Sequence, residues 1–340
     1  MARKVVLTGM RTTGSLHLGH YIGALKQWLE VQQTREYECY FLLADVQALT
    51  THAHDPALLT QSVKEVTLDW LAVGLDPNRS HFVLQSQVPE RYELSALLMM
   101  IARFSEVKRN PTLKDELRLQ HDASMGFMAY PVDQAADIYM VSPTPPEDGD
   151  ELLVPVGQDQ VPHLEYSRVL ARRFNESYGP VFVPCKALIG EIGRLVGTDG
   201  KDKMSKSLGN TVNLSDDAAT LQQKVRSMFT DPNRVRADMP GETENNPVFI
   251  YHRAFNANPA EVAELTERYQ HGRVGDVEVK AKLIKALDEF LDPIRERRAQ
   301  YEKVDIREIL MDGTNAARAA CAPVIQAVRS YMHLTFPSIK

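Results

Sequence analysis

Four short β-rich runs, at residues 5–9, 40–44, 81–85 and 152–156, punctuate the first 200 residues of this chain, and the stretches between them carry helical period. Strands alternating with helices in this way predict a parallel sheet covered by helices, a doubly wound α/β domain of the Rossmann-like kind. Leu18, Ile22, Leu25 and Leu29 fall on one helical face after the first run, and Leu59, Val63, Val66 and Trp70 on another after the second, where Gly74 offers a left-handed cap. A further helix is expected over about 160–178, with Leu164, Ala171 and Phe174 inward, and the segment from Ser142 to Asp150 reads as a surface loop. After Ala218 only helical period remains, with a stripe of Val279, Leu283, Leu287, Leu291 and Ile294 and a last helix over about 315–332. The expected division is a catalytic α/β domain over 1–211 and an α-helical domain over 212–340.

At 44% hydrophobic and 25% charged residues, 340 residues can bury a sizeable core, which excludes a disordered chain. No apolar stretch is long enough to span a bilayer, and Met1 leads through Arg3 and Lys4 into a short apolar run without a signal region, so a cytoplasmic protein without membrane contact is expected. Cys39, Cys185 and Cys321 are odd in number and far apart, which excludes a disulfide framework and a four-ligand zinc cluster and leaves them as buried small residues. The net charge of −6 does not announce a nucleic-acid binder. From Ser205 onward, 19 basic residues balance 19 acidic ones, so the deficit lies entirely before it, and the local cluster of Arg295, Arg297 and Arg298 reads as a solvated helix face.

Chemistry concentrates in two motifs. Gly14-Ser15-Leu16-His17-Leu18-Gly19-His20 stands between a strand and an amphipathic helix, where α/β folds bind nucleotides. Gly9, Gly14 and Gly19 allow a tight turn and close approach of phosphate to the backbone, and His17 and His20, one helical turn apart, can both donate to a phosphoryl group gaining charge. Lys203-Met204-Ser205-Lys206-Ser207, bounded by Gly197, Gly200 and Gly209, reads as a mobile loop whose two lysines can close over a triphosphate. The five-residue string arises by chance on the order of once in ten thousand chains, the histidine motif on the order of once in a hundred. No metal-ligand set is visible in the sequence.

These two motifs, in this order, resemble those of the class I aminoacyl-tRNA synthetases. The closer resemblance is to the tryptophanyl-tRNA synthetases over nearly the whole chain, carried by Leu43-Ala44-Asp45-Val46-Gln47-Ala48-Leu49-Thr50, Arg109-Asn110-Pro111-Thr112-Leu113-Lys114, the segment from Tyr130 to Ile138, and Val154-Pro155-Val156-Gly157-Gln158-Asp159-Gln160. It implies ATP as co-substrate with Mg²⁺, an aminoacyl-adenylate intermediate, L-tryptophan and tRNA(Trp) as partners, anticodon binding by 212–340, and a homodimer formed through a helical insertion around 90–140. His17, His20, Lys203 and Lys206 then carry catalysis. Gly9, Arg11, Gly19, Lys114, Gly157, Asp159 and Ser205 join His20 and the two lysines around ATP, with Asp159 on the ribose. Leu7, Gly9, Gln47, Tyr130, Gln134, Asp137 and Gln160 surround tryptophan, with Asp137 on the indole nitrogen and Tyr130 and Gln160 on the α-amino group.

Tyr130, Gln134 and Asp137 share a helical face by spacing alone, and a carboxylate there can accept from an indole N–H or a phenol O–H. Tyrosyl relatives typically add a tyrosine two residues before the first-strand glycine. Here that place is Leu7, which favours tryptophan. Some tryptophanyl relatives have histidine at the place of Gln47 and methionine at that of Gln134, so this pocket floor is more polar; many have a Gln-Pro-Ser-like turn where this chain has Arg11-Thr12-Thr13. Competing readings are a tyrosyl enzyme, a small nucleotidyltransferase, which the helical second half disfavours, and a synthetase paralogue kept as a binding or regulatory partner.

Overall fold

The computed structural model describes residues 2–118, 122–190, 195–231, 234 and 236–335. Its sheet comprises β1 (Lys4–Arg11), β2 (Glu38–Ala44), β3 (Ser80–Leu84), β4 (Glu151–Val156) and β5 (Lys186–Ile189), all parallel, in the order β3-β2-β1-β4-β5. The four expected strands are there, and the fifth is a finding: four residues that begin with a lysine leave no readable pattern. Chain order reverses between β1 and β4, so a crevice opens at the carboxyl ends of these two strands.

Leading from β1 to β2, α1 (Leu18–His20), a π-helical turn (Tyr21–Leu25) and α2 (Lys26–Thr34) follow one another. Between β2 and β3 run α3 (Asp45–His52) and α4 (Pro56–Val73), the latter started by Asp55 accepting from the Leu58 amide and stopped by Gly74 at φ 107°, the left-handed cap expected. Next come α5 (Pro89–Ile101), α6 (Phe104–Arg109), α7 (Pro111–Leu117) and α8 (Met125–Tyr139), which lead to β4, and α9 (Val161–Ser177), which leads to β5. The helical remainder is α10 (Ala218–Arg226), α11 (Pro247–Phe255), α12 (Pro259–Gln270), α13 (Asp276–Tyr301) and α14 (Ile306–Tyr331). Among the described residues no helix is long and apolar enough to cross a membrane.

Strand alternation assigns the cores. Val6, Phe41, Leu43 and Phe82 point to one face with Trp28 and Trp70, while Val5, Leu7, Tyr40, Leu42 and Val83 point to the other with Ala135, Leu164 and Phe174. The helical remainder is shared between these cores, since Leu283, Leu287 and Leu291 of α13 join the first and Ala317, Cys321 and Val324 of α14 the second. The composition change near residue 212 therefore marks a change of secondary structure within one packed body. Cys39, Cys185 and Cys321 are buried free thiols, as expected.

Two arginines of α13 fix the helical remainder to α4. Arg297 Nε donates to Ala72 O at 2.6 Å, and Arg298 pairs with Asp69 at 2.5 Å and with Glu65. Arg295 bonds Asp216 O at 2.8 Å and Asp288 at 2.8 Å. The expected solvated arginine face is thus overturned: Arg298 finds Glu65 and Asp69 far away in sequence, Arg297 a distant backbone carbonyl, and Arg295 the nearby Asp288 and Asp292. The last helix starts earlier than expected and runs against β3, whose Leu84 amide, with no further strand beside it, donates to Thr314 Oγ1 at 3.0 Å. At Gly313 a Cβ would collide with the Phe82 amide nitrogen and carbonyl. Glycine inside a helix ordinarily costs up to about 1 kcal/mol relative to alanine, but here the close approach reverses the sign. Gly313→Ala is expected to lower the unfolding free energy by about 1–3 kcal/mol, read by denaturant melts; a stabilised variant would mean that α14 does not sit on β3.

Candidate active site

The segment after β1 is held from below. Asp69, fully buried on α4, accepts from the Leu16 amide at 2.7 Å and sets His17 at the start of α1. The His17 and His20 rings face each other with centroids 3.8 Å apart, and the His17 amide donates to His20 Nδ1 at 3.1 Å. With Nδ1 used as an acceptor, the His20 proton resides on Nε2, which makes that nitrogen the donor. Burial lowers His17 to about 4, helped by the Lys206 charge, and burial drives His20 well below its ordinary value. Both imidazoles are neutral donors at pH 7.

The second motif is tied to the first. Leu18 N donates to Val212 O at 2.9 Å, and Leu214 N to Leu16 O at 2.9 Å. Asn210 organises the loop from inside by accepting from the Ser205 amide at 2.8 Å and donating to Lys203 O and Asp199. Lys206 Nζ donates to Thr13 O at 3.0 Å and Gly14 O at 2.8 Å, and burial lowers its pKa to about 8. The expectation of a freely mobile loop is corrected by these bonds. Lys203 stays exposed and, with His17, Gly19, His20, Gly157 and Asp159, lines a cavity of about 730 Å³.

Adjoining it at His20, Gly23 and Gly157 is a smaller cavity of about 290 Å³, lined by Leu7, Gly9, Arg11, Trp28, Gln47, Gln134, Asp137 and Gln160 among others. It sits at the β1–β4 switch point. Its buried end is acidic: Gln85 Nε2 donates to Asp137 Oδ2 at 2.8 Å, and Gln85 Oε1 accepts from the Gln47 amide at 3.0 Å. Asp137 Oδ1 lies 2.8 Å from Arg91 Nε in an ion contact outside hydrogen-bond angles, so this buried oxygen accepts no hydrogen bond from the described residues. Asp137 is among the residues that line the cavity, and a buried carboxylate there suits a hydrogen-bond donor on a ligand.

Most of the expected residues converge here, with exceptions. Gly9 and Arg11 line the smaller cavity and are absent from the lining of the larger one; Gly9 is required because a Cβ would strike Leu42 on β2. Tyr130 was expected on the amino-acid pocket but lines neither cavity; its hydroxyl donates to Glu116 at 2.6 Å and meets His163 Nε2 at 2.9 Å, partners that helical spacing could not reveal. Lys206 and Ser205 also line neither, because Lys206 is turned onto the 13–14 carbonyls. Lys114 is exposed on α7 beside the Asp159 turn, to which Thr112 Oγ1 donates at 2.9 Å. Sequence reasoning missed Gln85, Arg91 and Asp133. Gln85 ends β3 and was detectable as a polar residue at a strand carboxyl end; Arg91 carried no signal.

Residues 2–292 match the family model of class I tRNA synthetases for tryptophan and tyrosine. The chain belongs to that family. It is 45% identical to the tryptophan–tRNA ligase of Borreliella burgdorferi, across 98% of this chain and 95% of that one, and 46% identical to that of Treponema pallidum, across 97% of each. The crystal structure of Campylobacter jejuni tryptophanyl-tRNA synthetase complexed with ADP and tryptophan superposes with a TM-score of 0.84 at 30% identity, covering 97% of this chain and 99% of that one. Among the described residues of this synthetase there is no group of three or more His, Cys, Asp or Glu side chains that could hold a metal ion.

The neutral state of the histidines is open to measurement. An unfolded imidazole takes up a proton near pH 6.5, whereas His17 resists to about 4, so unfolding binds protons between these values and this group's share of stability falls as pH falls through that window. In ¹H–¹⁵N NMR spectra both motif histidines are expected to stay neutral from pH 8 to 5, with His20 in the Nε2–H form. A titration midpoint above 6 for either would overturn the assignment.

Proposed function

We propose that this chain is a tryptophan–tRNA ligase, which activates L-tryptophan with ATP to tryptophanyl-adenylate and transfers it to the 2′-hydroxyl of the terminal adenosine of tRNA(Trp). The observation that carries the choice of amino acid is the Asp137 side chain on the lining of a cavity walled by Leu7 and Trp28. An indole N–H fills that acceptor and the ring packs on the apolar wall, while Leu7 gives a phenol hydroxyl nothing to bond. Leaving such a group unpaired on burial costs about 1–3 kcal/mol, and sites built to bond a polar group discriminate accordingly. The names of the relatives agree with tryptophan.

The two adjoining cavities suit the two halves of the reaction. Tryptophan occupies the smaller, its ammonium at Gln160, while Tyr130 reaches the ammonium only by leaving Glu116. The ATP phosphates occupy the larger, with the ribose at Asp159. A tryptophan carboxylate oxygen then attacks the α-phosphorus where the cavities meet, a new P–O bond forms, the bond to the β-phosphate oxygen breaks, and pyrophosphate leaves with the electron pair. His17 and His20 donate to the phosphoryl oxygens, and Lys203 and Lys206 take up the pyrophosphate charge. Mg²⁺ belongs to the nucleotide in this reading, and no step is assigned to it.

Tripartite substrate use requires more surface than the cavity. We assign anticodon contact to the helices after residue 212, where a groove of about 600 Å³ between α11 and α12 presents Arg253, Asn256, Thr266 and Gln270. We assign a homodimer to the α5–α8 insertion, where the large apolar side chains of Met100, Phe104 and Met125 are 74, 69 and 81% exposed. The working compartment is the cytoplasm.

Pyrophosphate exchange into ATP is expected with tryptophan and not with tyrosine; exchange with tyrosine alone would transfer the site to the phenol, and exchange with neither would favour a binding paralogue. Lys206→Ala is expected to slow exchange by about 10²-fold or more while the tryptophan KM moves by less than about threefold, since its charge meets the transition state and not the amino acid. Replacing Met100 and Phe104 together by aspartate is expected to give a monomer by light scattering; an unchanged mass would place the dimer elsewhere.

A further inference from the structure

Arg91 is the least expected residue near the site. Its side chain is wholly buried, it lines neither cavity, and it bears a charge that burial makes costly unless paired. Its partners are two carboxylates one helical turn apart on α8. Nη2 lies 2.6 Å from Asp133 Oδ1 and donates to Asp133 O at 3.1 Å, and Nε sits 2.8 Å from Asp137 Oδ1. The guanidinium lies over the Tyr92 ring, 4.6 Å from its centroid, and the Tyr92 hydroxyl donates to Gln85 O at 3.4 Å. Gln85 in turn holds Asp137 Oδ2, while Ser95 Oγ donates to Asp133 Oδ1 at 2.7 Å. Arg91, Tyr92, Gln85 and Asp137 thus close a ring of contacts behind the cavity wall.

We propose that Arg91 is the positioning residue for recognition of the indole N–H: from behind the wall its guanidinium holds Asp137, whose side chain lines the cavity, in one place and biases it toward the carboxylate form. The inference rests on the assignment of tryptophan to the smaller cavity. Without a cation here, a carboxylate in these surroundings takes up a proton. Burial pushes Asp137 up, Arg91 is the strongest influence pulling it back, Asp133 and Asp45 push it further up, and Gln85 again opposes. A protonated, freely turning carboxyl can spend its hydroxyl on a neighbour and present a donor to a donor. The net result is a carboxyl raised to about 7, and the guanidinium beside it biases it toward the acceptor form and one orientation.

The role separates from mere structural support by chemistry in the substrate. The experiment is pyrophosphate exchange with tryptophan and with 3-(3-benzothienyl)alanine, a tryptophan analogue whose ring sulfur replaces the indole N–H and donates nothing. The wild-type protein is expected to favour tryptophan over the analogue in kcat/KM by about 10- to 100-fold, the worth of a hydrogen bond to a charged group. Arg91→Met is expected to raise the tryptophan KM by a similar factor, to leave the analogue and the ATP KM within about threefold, and so to collapse the preference. Arg91→Lys, which keeps the cation but loses the planar guanidinium that reaches both carboxylates, is expected to give a smaller loss of the same preference, and it carries the test if Arg91→Met does not fold. Equal losses with both substrates, or a preference retained in both variants, would overturn the role of Arg91. A wild-type protein that shows no exchange with tryptophan, or no preference over the analogue, would instead overturn the tryptophan assignment itself.

Discussion

Fold and site meet at the Asp69 carboxylate. It has no exposed surface, accepts from the Leu16 amide ahead of the histidine motif, and finds its counter-ion in Arg298 on α13, 229 residues away. Burial pushes it up to about 6 against the pull of Arg298 and of the amide, which is the measure of how much that pairing must offset. Because α4 is rigid, the loop before His17 has a fixed floor. Because the cation comes from α13, that floor is complete only when the helical half has docked. The position of a phosphate-binding histidine is therefore conditional on packing of a helix that the sequence assigns to another domain.

This dependence explains what was legible in advance. The parallel strands were readable because both faces are buried, and a strand buried on both faces writes its apolar run into a few consecutive residues, as in Tyr40-Phe41-Leu42-Leu43-Ala44. Gly74 was readable as a cap because its reason is local. β5 was not, since four residues at an edge carry too little pattern, and the start of α14 was hidden because Gly313 looks like a helix breaker until the backbone of Phe82 is set against it. Arg297 and Arg298 looked solvated for the same reason: a salt bridge with Asp69 is a fact about tertiary structure, invisible to a window of ten residues.

The site divides along the same line. His17, His20, Leu7, Asp137, Gln160 and Asp159 were legible because motif and strand end place them directly on a cavity. Tyr130 was placed on the right helix but with the wrong partner, because helical spacing specifies a face and not which of two acceptors lies beside it. Arg91 was illegible altogether. One arginine in Pro89-Glu90-Arg91-Tyr92-Glu93 resembles any helix charge, and what distinguishes it is the pair of carboxylates supplied by α8. The residues that line the cavities were thus easier to find than one behind the wall, whose partners come from another helix.

Lys206 shows how such a site can be both ordered and ready. Its ammonium bonds the carbonyls of Thr13 and Gly14, and because the donor is ionised each bond is worth about 1.5–3 kcal/mol in net terms. In the proposed reaction a phosphate oxygen would add a full opposite charge to the same donor, which is what would let it compete with the two carbonyls. The exchange also reverses the electrostatics. Burial against the backbone lowers the lysine to about 8, close enough to neutrality to make its charge expensive there, whereas an adjacent polyanion raises it again. These bonds hold the loop against the segment before α1 and keep the motifs in register, and in the proposed reaction a neighbouring phosphate would make the same lysine more firmly cationic as pyrophosphate leaves.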